Sequence, residues 1–140
     1  MSDTATILLA EDSEDDAFFC RRALEKAGVA HTLVHVFDGE ECIKYLAGQE
    51  PFADRTKFPF PNVLLLDLKM PIVSGFEVLE WIQAHPECKT LPVIILTGSE
   101  LGRDKDNAAK LGASEYHCKP IACDELIAIM KAINGRWLTA

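Results

Sequence analysis

Four points in this sequence combine an apolar run with a residue able to do chemistry. Ala5 to Ala10 (A-T-I-L-L-A) runs into Glu11-Asp12, and Asn62 to Leu66 (N-V-L-L-L) runs into Asp67. Leu91 to Leu96 closes on Thr97, and Ser114 to Cys118 leads into Lys119. Three carboxylates, a hydroxyl and an ammonium would make one pocket if the fold brought these four ends together. Carboxylates that close raise one another's pKa, so they cannot all stay ionised cheaply. A hard divalent cation resolves the conflict, and an oxygen-only cluster with few ligands suits Mg²⁺. Three carboxylates, one ammonium and one Mg²⁺ are formally neutral. Each signal alone has a plainer reading. Acids at a helix start commonly serve the helix dipole, which is how Glu14, Asp15 and Asp16 read. An Asp after a strand can start a turn, and a Thr closing a strand is ordinary. Their common placement at strand ends is what carries weight.

The elements that must position them alternate along the chain. Ala5 to Ala10 has the continuous apolar character of a strand buried on both faces. Ser13 is placed to cap a helix with Ala17, Cys20, Leu24 and Ala27 at helical spacing, ended by Gly28. Thr32 to Phe37 is a more polar, edge-like second strand. Asp38-Gly39 turns into a short helix marked by Cys42, Ile43 and Leu46. Asn62 to Asp67 is strand three, and helix three covers roughly 75–85 with Phe76, Leu79 and Ile82 on one face. Leu91 to Thr97 is strand four, and a helix near Arg103 to Leu111 is stopped by Gly112. Ser114 to Cys118 is strand five, and Asp124 to Asn134 is helix five with Leu126, Ile127, Met130 and Ile133 inward. Five strands alternating with five helices predict an α/β fold, a doubly wound parallel sheet covered on both faces. Right-handed crossovers and five strands favour the order 2-1-3-4-5, with ligands at the carboxyl ends of the strands.

The totals exclude several functions. The 140 residues fit one compact domain, 1–140, able to bury its core without disulfides. A net charge of −8, from 22 acids and 14 bases, repels phosphate backbones and anionic lipid, which argues against nucleic-acid or membrane binding. No apolar run approaches the roughly 20 residues of a membrane span. Met1-Ser2-Asp3-Thr4 lacks the basic lead of a signal peptide, so a cytoplasmic location is expected. Five cysteines, Cys20, Cys42, Cys88, Cys118 and Cys123, have no C-x-x-C spacing and read as reduced, buried apolar residues.

Asp67-Leu68-Lys69-Met70-Pro71 followed by Gly75 resembles the phosphoacceptor segment of CheY-like receiver domains, the response regulators of two-component signalling. Glu11-Asp12, Thr97-Gly98, Lys119-Pro120 and the approach Leu111 to Tyr116 match the same family, over about residues 5–134. The resemblance implies that Asp67 takes a phosphoryl group from a phosphohistidine on a sensor histidine kinase. It implies Mg²⁺ held by Asp12, Asp67 and the backbone carbonyl of Lys69, with Glu11 reaching the metal through water. Lys119 would neutralise the phosphoryl oxygens. Thr97 would swing onto the new phosphoryl group and Tyr116 would turn inward, reshaping the helix 4–strand 5–helix 5 surface. A cis Lys119-Pro120 bond is expected, to turn the lysine into the site. The side chain of Lys69, two residues after the phosphoacceptor, is expected to affect the lifetime of the phosphorylated state.

The segment 48–61, G-Q-E-P-F-A-D-R-T-K-F-P-F-P, is longer than the about 2 to 6 residues common in such connections. Its three phenylalanines and three prolines predict a stiff loop folded onto the protein. A similar extension occurs in small receivers resembling the response regulators of phytochrome-type kinases, which implies such a kinase as partner. After helix five only Arg136 to Ala140 remain, so output through protein contact or phosphoryl relay to a phosphotransfer protein is expected. Trp137 and Leu138 could serve a homodimer contact or cap the core. Two rival classes remain: a phosphorylation-independent docking module, and an Asp-nucleophile phosphohydrolase. The second lacks its usual acid two residues after the nucleophile, where Lys69 stands.

Overall fold

Continuously apolar strands build the molecule, because each central strand must feed apolar side chains to two layers of helices. In a computed structural model, residues 4–138 are described; Met1 to Asp3 and Thr139 to Ala140, with the expectations that fell on them, lie outside. The elements are β1 (Ala5–Ala10), α1 (Glu14–Lys26), β2 (His31–Val36), α2 (Gly39–Ala47), β3 (Val63–Leu66), α3 (Gly75–Gln83), β4 (Val93–Thr97), α4 (Gly102–Lys110), β5 (Glu115–Cys118) and α5 (Cys123–Ile133). All strand pairings are parallel and the order is β2-β1-β3-β4-β5, as the alternating pattern predicts.

Successive residues of one strand serve opposite cores. Ile7 and Leu9 of β1 join Leu65, Ile94 and Leu96 against Leu24 of α1 and Met130 of α5. Leu8 and Ala10 join Leu64, Leu66 and Ile95 against Tyr45 of α2, Leu79 of α3 and Ala108 of α4. β1, β3 and β4 are buried throughout, whereas β2 is only partly covered, as its polar composition implies.

Local signals set the helix ends. The Ser13 hydroxyl accepts from Asp16 N–H at 3.2 Å and starts α1. Ser74 and Glu77 form a reciprocal capping box at the start of α3. That helix ends at Gln83 rather than His85, because Pro86 disfavours helical backbone in the residue before it and opens a short 3₁₀ turn, Pro86–Cys88.

The 48–61 loop leaves α2 through Gly48 in the left-handed region, φ 69°. Phe52 and Phe58 meet Tyr45 at ring-centroid distances of 5.0 and 6.1 Å. The buried Tyr45 hydroxyl donates to Pro59 O at 2.8 Å, and Arg55 donates to Leu46 O and Phe58 O. The loop is thereby tied to α2 at several points.

Two expectations need correcting. Lys119-Pro120 is trans, and the one cis bond among the described residues is Glu50-Pro51. A trans bond suffices because the Lys119 N–H, bonded to Thr97 O at 2.7 Å, continues the β4–β5 ladder and already aims the side chain at the sheet's carboxyl edge. Cys20, Cys42 and Cys88 are buried, but Cys118 and Cys123 are exposed, since one ends β5 and the other opens α5. Trp137 donates its indole N–H to Glu115 at 2.6 Å and Leu138 packs on the α1–α5 core, so both contact their own chain.

Candidate functional site

β1, β3, β4 and β5 end on one edge of the sheet, and the residues following them converge there. Glu11 and Asp67 are 2% and 5% exposed and Thr97 is fully buried, while Asp12 faces solvent. The Lys119 ammonium lies 2.7 Å from Glu11 Oε1 and 3.1 Å from Asp67 Oδ2. Backbone donors complete the anionic side: Ser13 N–H reaches Glu11 Oε2 at 3.1 Å, and Lys69 N–H reaches Asp67 Oδ1 at 3.3 Å. The Lys69 side chain is exposed.

A residue read as a mere dipole partner belongs to this pocket. Asp16 Oδ2 lies 2.7 Å from the Lys119 ammonium, so Lys119 faces three carboxylates. In the first turn of α1, Asp16 reaches back over the strand ends, which its spacing from the capping Ser13 could have suggested. Neutrality therefore fails: four carboxylates against one ammonium and one dication leave a net negative charge.

The electrostatics follow from burial. Removal from water raises the Glu11 carboxyl from 4.5 to about 7; bonding to Lys119 opposes the rise and the nearby Asp67 adds to it. Burial alone would lower the Lys119 pKa, but Asp16, Glu11 and Asp67 outweigh it and hold the ammonium more firmly protonated than an ordinary lysine.

Glu11, Asp12 and Asp67 each offer a carboxylate oxygen, and these oxygens lie within 4.8 Å of one another. A hard, all-oxygen donor set beside a buried carboxyl with a raised pKa fits a divalent cation. Behind Asp67 the wall is tight. The Gly75 N–H bonds Leu68 O at 2.9 Å, and a Cβ at Gly75 would lie 2.7 Å from Leu68 Cα.

Thr97 and Tyr116 are joined through a residue that sequence reasoning passed over. Ser99 N–H donates to Thr97 Oγ1 at 3.4 Å, and Ser99 O accepts from the Tyr116 hydroxyl at 3.1 Å and the Cys118 thiol at 3.2 Å. The Ser99 hydroxyl donates to Asp104 of α4 at 2.5 Å. Ser99 thus links Thr97 to β5 and to α4.

A five-stranded 2-1-3-4-5 sheet bearing an acidic pocket and a lysine at its carboxyl edge is the arrangement of response-regulator receivers. Residues 7–131 match the response regulator receiver domain family, and the chain belongs to it. It is 32% identical over 132 residues to the response regulator Rcp1 of Synechocystis sp., covering 94% of this chain and 88% of that protein. The Mn²⁺-bound crystal form of Rcp1 superposes with a TM-score of 0.84 at 31% identity, covering 97% of this chain and 96% of that one. The phosphorylated cyanobacterial phytochrome response regulator RcpA gives a TM-score of 0.88 at 32% identity, covering 97% and 95%. A response regulator in red light signaling of R. palustris gives 0.90 at 30%, covering 96% and 94%. The chain is therefore a response regulator of two-component signalling, related to phytochrome-associated regulators and not a classical enzyme, and it carries the acidic triad Glu11, Asp12 and Asp67 at the pocket. No described helix is long and apolar enough to cross a membrane.

Proposed function

We propose that Asp67 is the phosphoacceptor and that a sensor histidine kinase, of the phytochrome type suggested by the relatives, is the donor. One observation carries this reading: a nearly buried carboxylate lies 3.1 Å from a lysine ammonium, with two further acids close enough to share a cation with it. An Asp67 carboxylate oxygen forms the new bond to phosphorus while the bond to the donor's histidine nitrogen breaks; that nitrogen keeps the electron pair. Lys119 neutralises the incoming phosphoryl oxygens, so the protein's contribution is positioning and electrostatics. Asp12, Asp67 and the Lys69 carbonyl would hold Mg²⁺, with Glu11 acting through water; bound there, the cation would stabilise charge on the phosphoryl group.

Phosphorylation brings the side chain to about −1.5 to −2 in charge. The Thr97 hydroxyl turns to the new oxygens, and Ser99 passes the movement to Tyr116 and α4. The altered α4–β5–α5 surface is then read by a protein target in the cytosol, or the phosphoryl group is relayed to a phosphotransfer protein. The bond of Trp137 to Glu115 and the packing of Leu138 on the core support the capping role for these two residues. Incubation with acetyl phosphate and Mg²⁺ tests the reading. The expected product is a base-labile mass increase of one phosphoryl group that vanishes in Asp67→Asn and on chelation; an unmodified wild type refutes it.

A further inference from the structure

Large apolar side chains exposed to water are ordinary when scattered. Here four of them follow the sheet's carboxyl edge. Phe37 (42% exposed) follows β2, Ile72 (72%) follows β3, Leu101 (46%) follows β4 and Ile121 (fully exposed) follows β5. Each of these loops presents one, and together they edge the face on which Asp67 opens. A protein that delivers a phosphoryl group to Asp67, itself 5% exposed, has to approach over this edge.

Ile72 stands out among the four. Its φ is +69°, and it is the one non-glycine with positive φ among the described residues. A β-branched side chain in the left-handed region is a genuine outlier, and such strain persists only where the surroundings impose it. Here they do. Val73 N–H bonds Pro71 O at 2.8 Å, Val73 O accepts from Gly39 N–H at 3.1 Å, and Gly75 N–H bonds Leu68 O at 2.9 Å. The side chain itself joins neither hydrophobic core. Glycine or asparagine would satisfy the same backbone with less strain.

We infer that Ile72 is a docking residue for the phosphohistidine-bearing protein, projecting from a locked loop into apolar surface beside the donor's histidine. The inference rests on the phosphoacceptor reading above. A small donor such as acetyl phosphate reaches Asp67 without touching Ile72, whereas a protein donor must cover it. The two donors therefore separate docking from chemistry.

The test uses wild type, Ile72→Gly and Ile72→Leu, with acetyl phosphate and with the phosphorylated core of whichever phytochrome-type histidine kinase transfers fastest to wild type. Ile72→Gly should label from acetyl phosphate within about twofold of wild type and melt no lower. Its kcat/KM for transfer from the kinase should fall about tenfold, the scale of losing one well-packed apolar contact. Ile72→Leu should recover most of the transfer. Kinase transfer at the wild-type rate in Ile72→Gly overturns the inference, as does an equal loss with acetyl phosphate, which would place the fault in the loop. Wild type left unlabelled by acetyl phosphate overturns the phosphoacceptor reading itself, and the inference with it.

Discussion

In metal-free solution, raising the pH from about 5 to about 8 should destabilise this protein, and Glu11 is the reason. Its carboxyl titrates at 4.5 ordinarily and at about 7 in the folded pocket, chiefly because of burial. Below 4.5 both folded and unfolded chains hold the proton. Between the two values the folded chain keeps it and the unfolded chain releases it, so stability falls as pH rises. Above about 7 the whole cost is present. At 1.36 kcal/mol per pH unit the interval is worth about 3 kcal/mol at most. The other shifted carboxyl and the lysine stay out of this window. Glu115 is lowered to about 2, mainly by its bond to Arg136, so its contribution is lost only as pH falls from 4.5 toward 2. Lys119 is raised above 10.5, so its contribution is constant until more alkaline solution. A dication beside Glu11 favours the ionised form, so saturating Mg²⁺ should flatten the profile and add most stability at high pH. Urea midpoints in EDTA and in Mg²⁺ across this range measure both effects, with Glu11→Gln as the control that should lose the slope. A flat or rising profile in EDTA, or an unchanged slope in Glu11→Gln, would refute the reasoning.

Gly75→Ala would drive a Cβ into the backbone of Asp67 and Leu68. Overpacking and the weakened Gly75–Leu68 bond should together cost about 2 to 4 kcal/mol by urea denaturation, with slower acetyl phosphate labelling. Tyr45→Phe removes the 2.8 Å bond to Pro59 O, for about 1 kcal/mol. Limited trypsin digestion should then cut faster at Arg55 or Lys57. Lys69→Ala should change the aspartyl-phosphate lifetime measured by decay of the labelled protein, and an unchanged lifetime would assign Lys69 to solvent alone.

The sheet was legible because buried parallel strands have a plain signature: Val63 to Leu66 and Val93 to Leu96 are apolar without interruption, and each closes on a polar residue at the edge. The strand order then brought Glu11, Asp12, Asp67, Thr97 and Lys119 to one edge before any side chain was placed. Asp16 was harder to read, because an acid in the first turn of a helix serves the dipole equally well. Only the folded chain shows it 2.7 Å from a lysine 103 residues away. The strain at Ile72 has no local signature either: its φ is imposed by Gly39 and the β3–α3 packing, which are tertiary. Ser99 carries no local signature, and its place as a junction depends on where β5 brings Tyr116 and Cys118. The trans Lys119-Pro120 bond has the same origin, since the β4–β5 ladder settles where the lysine points.

The central claim is that the phosphoryl group resides on Asp67. Borohydride reduces an aspartyl phosphate to homoserine, so reduction of the acetyl phosphate-treated protein followed by peptide sequencing reads the modified position directly. Homoserine at position 67, present with Mg²⁺ and absent with EDTA, is the predicted result. Homoserine at Asp12, Asp16 or any other acid, with Asp67 intact, would contradict it.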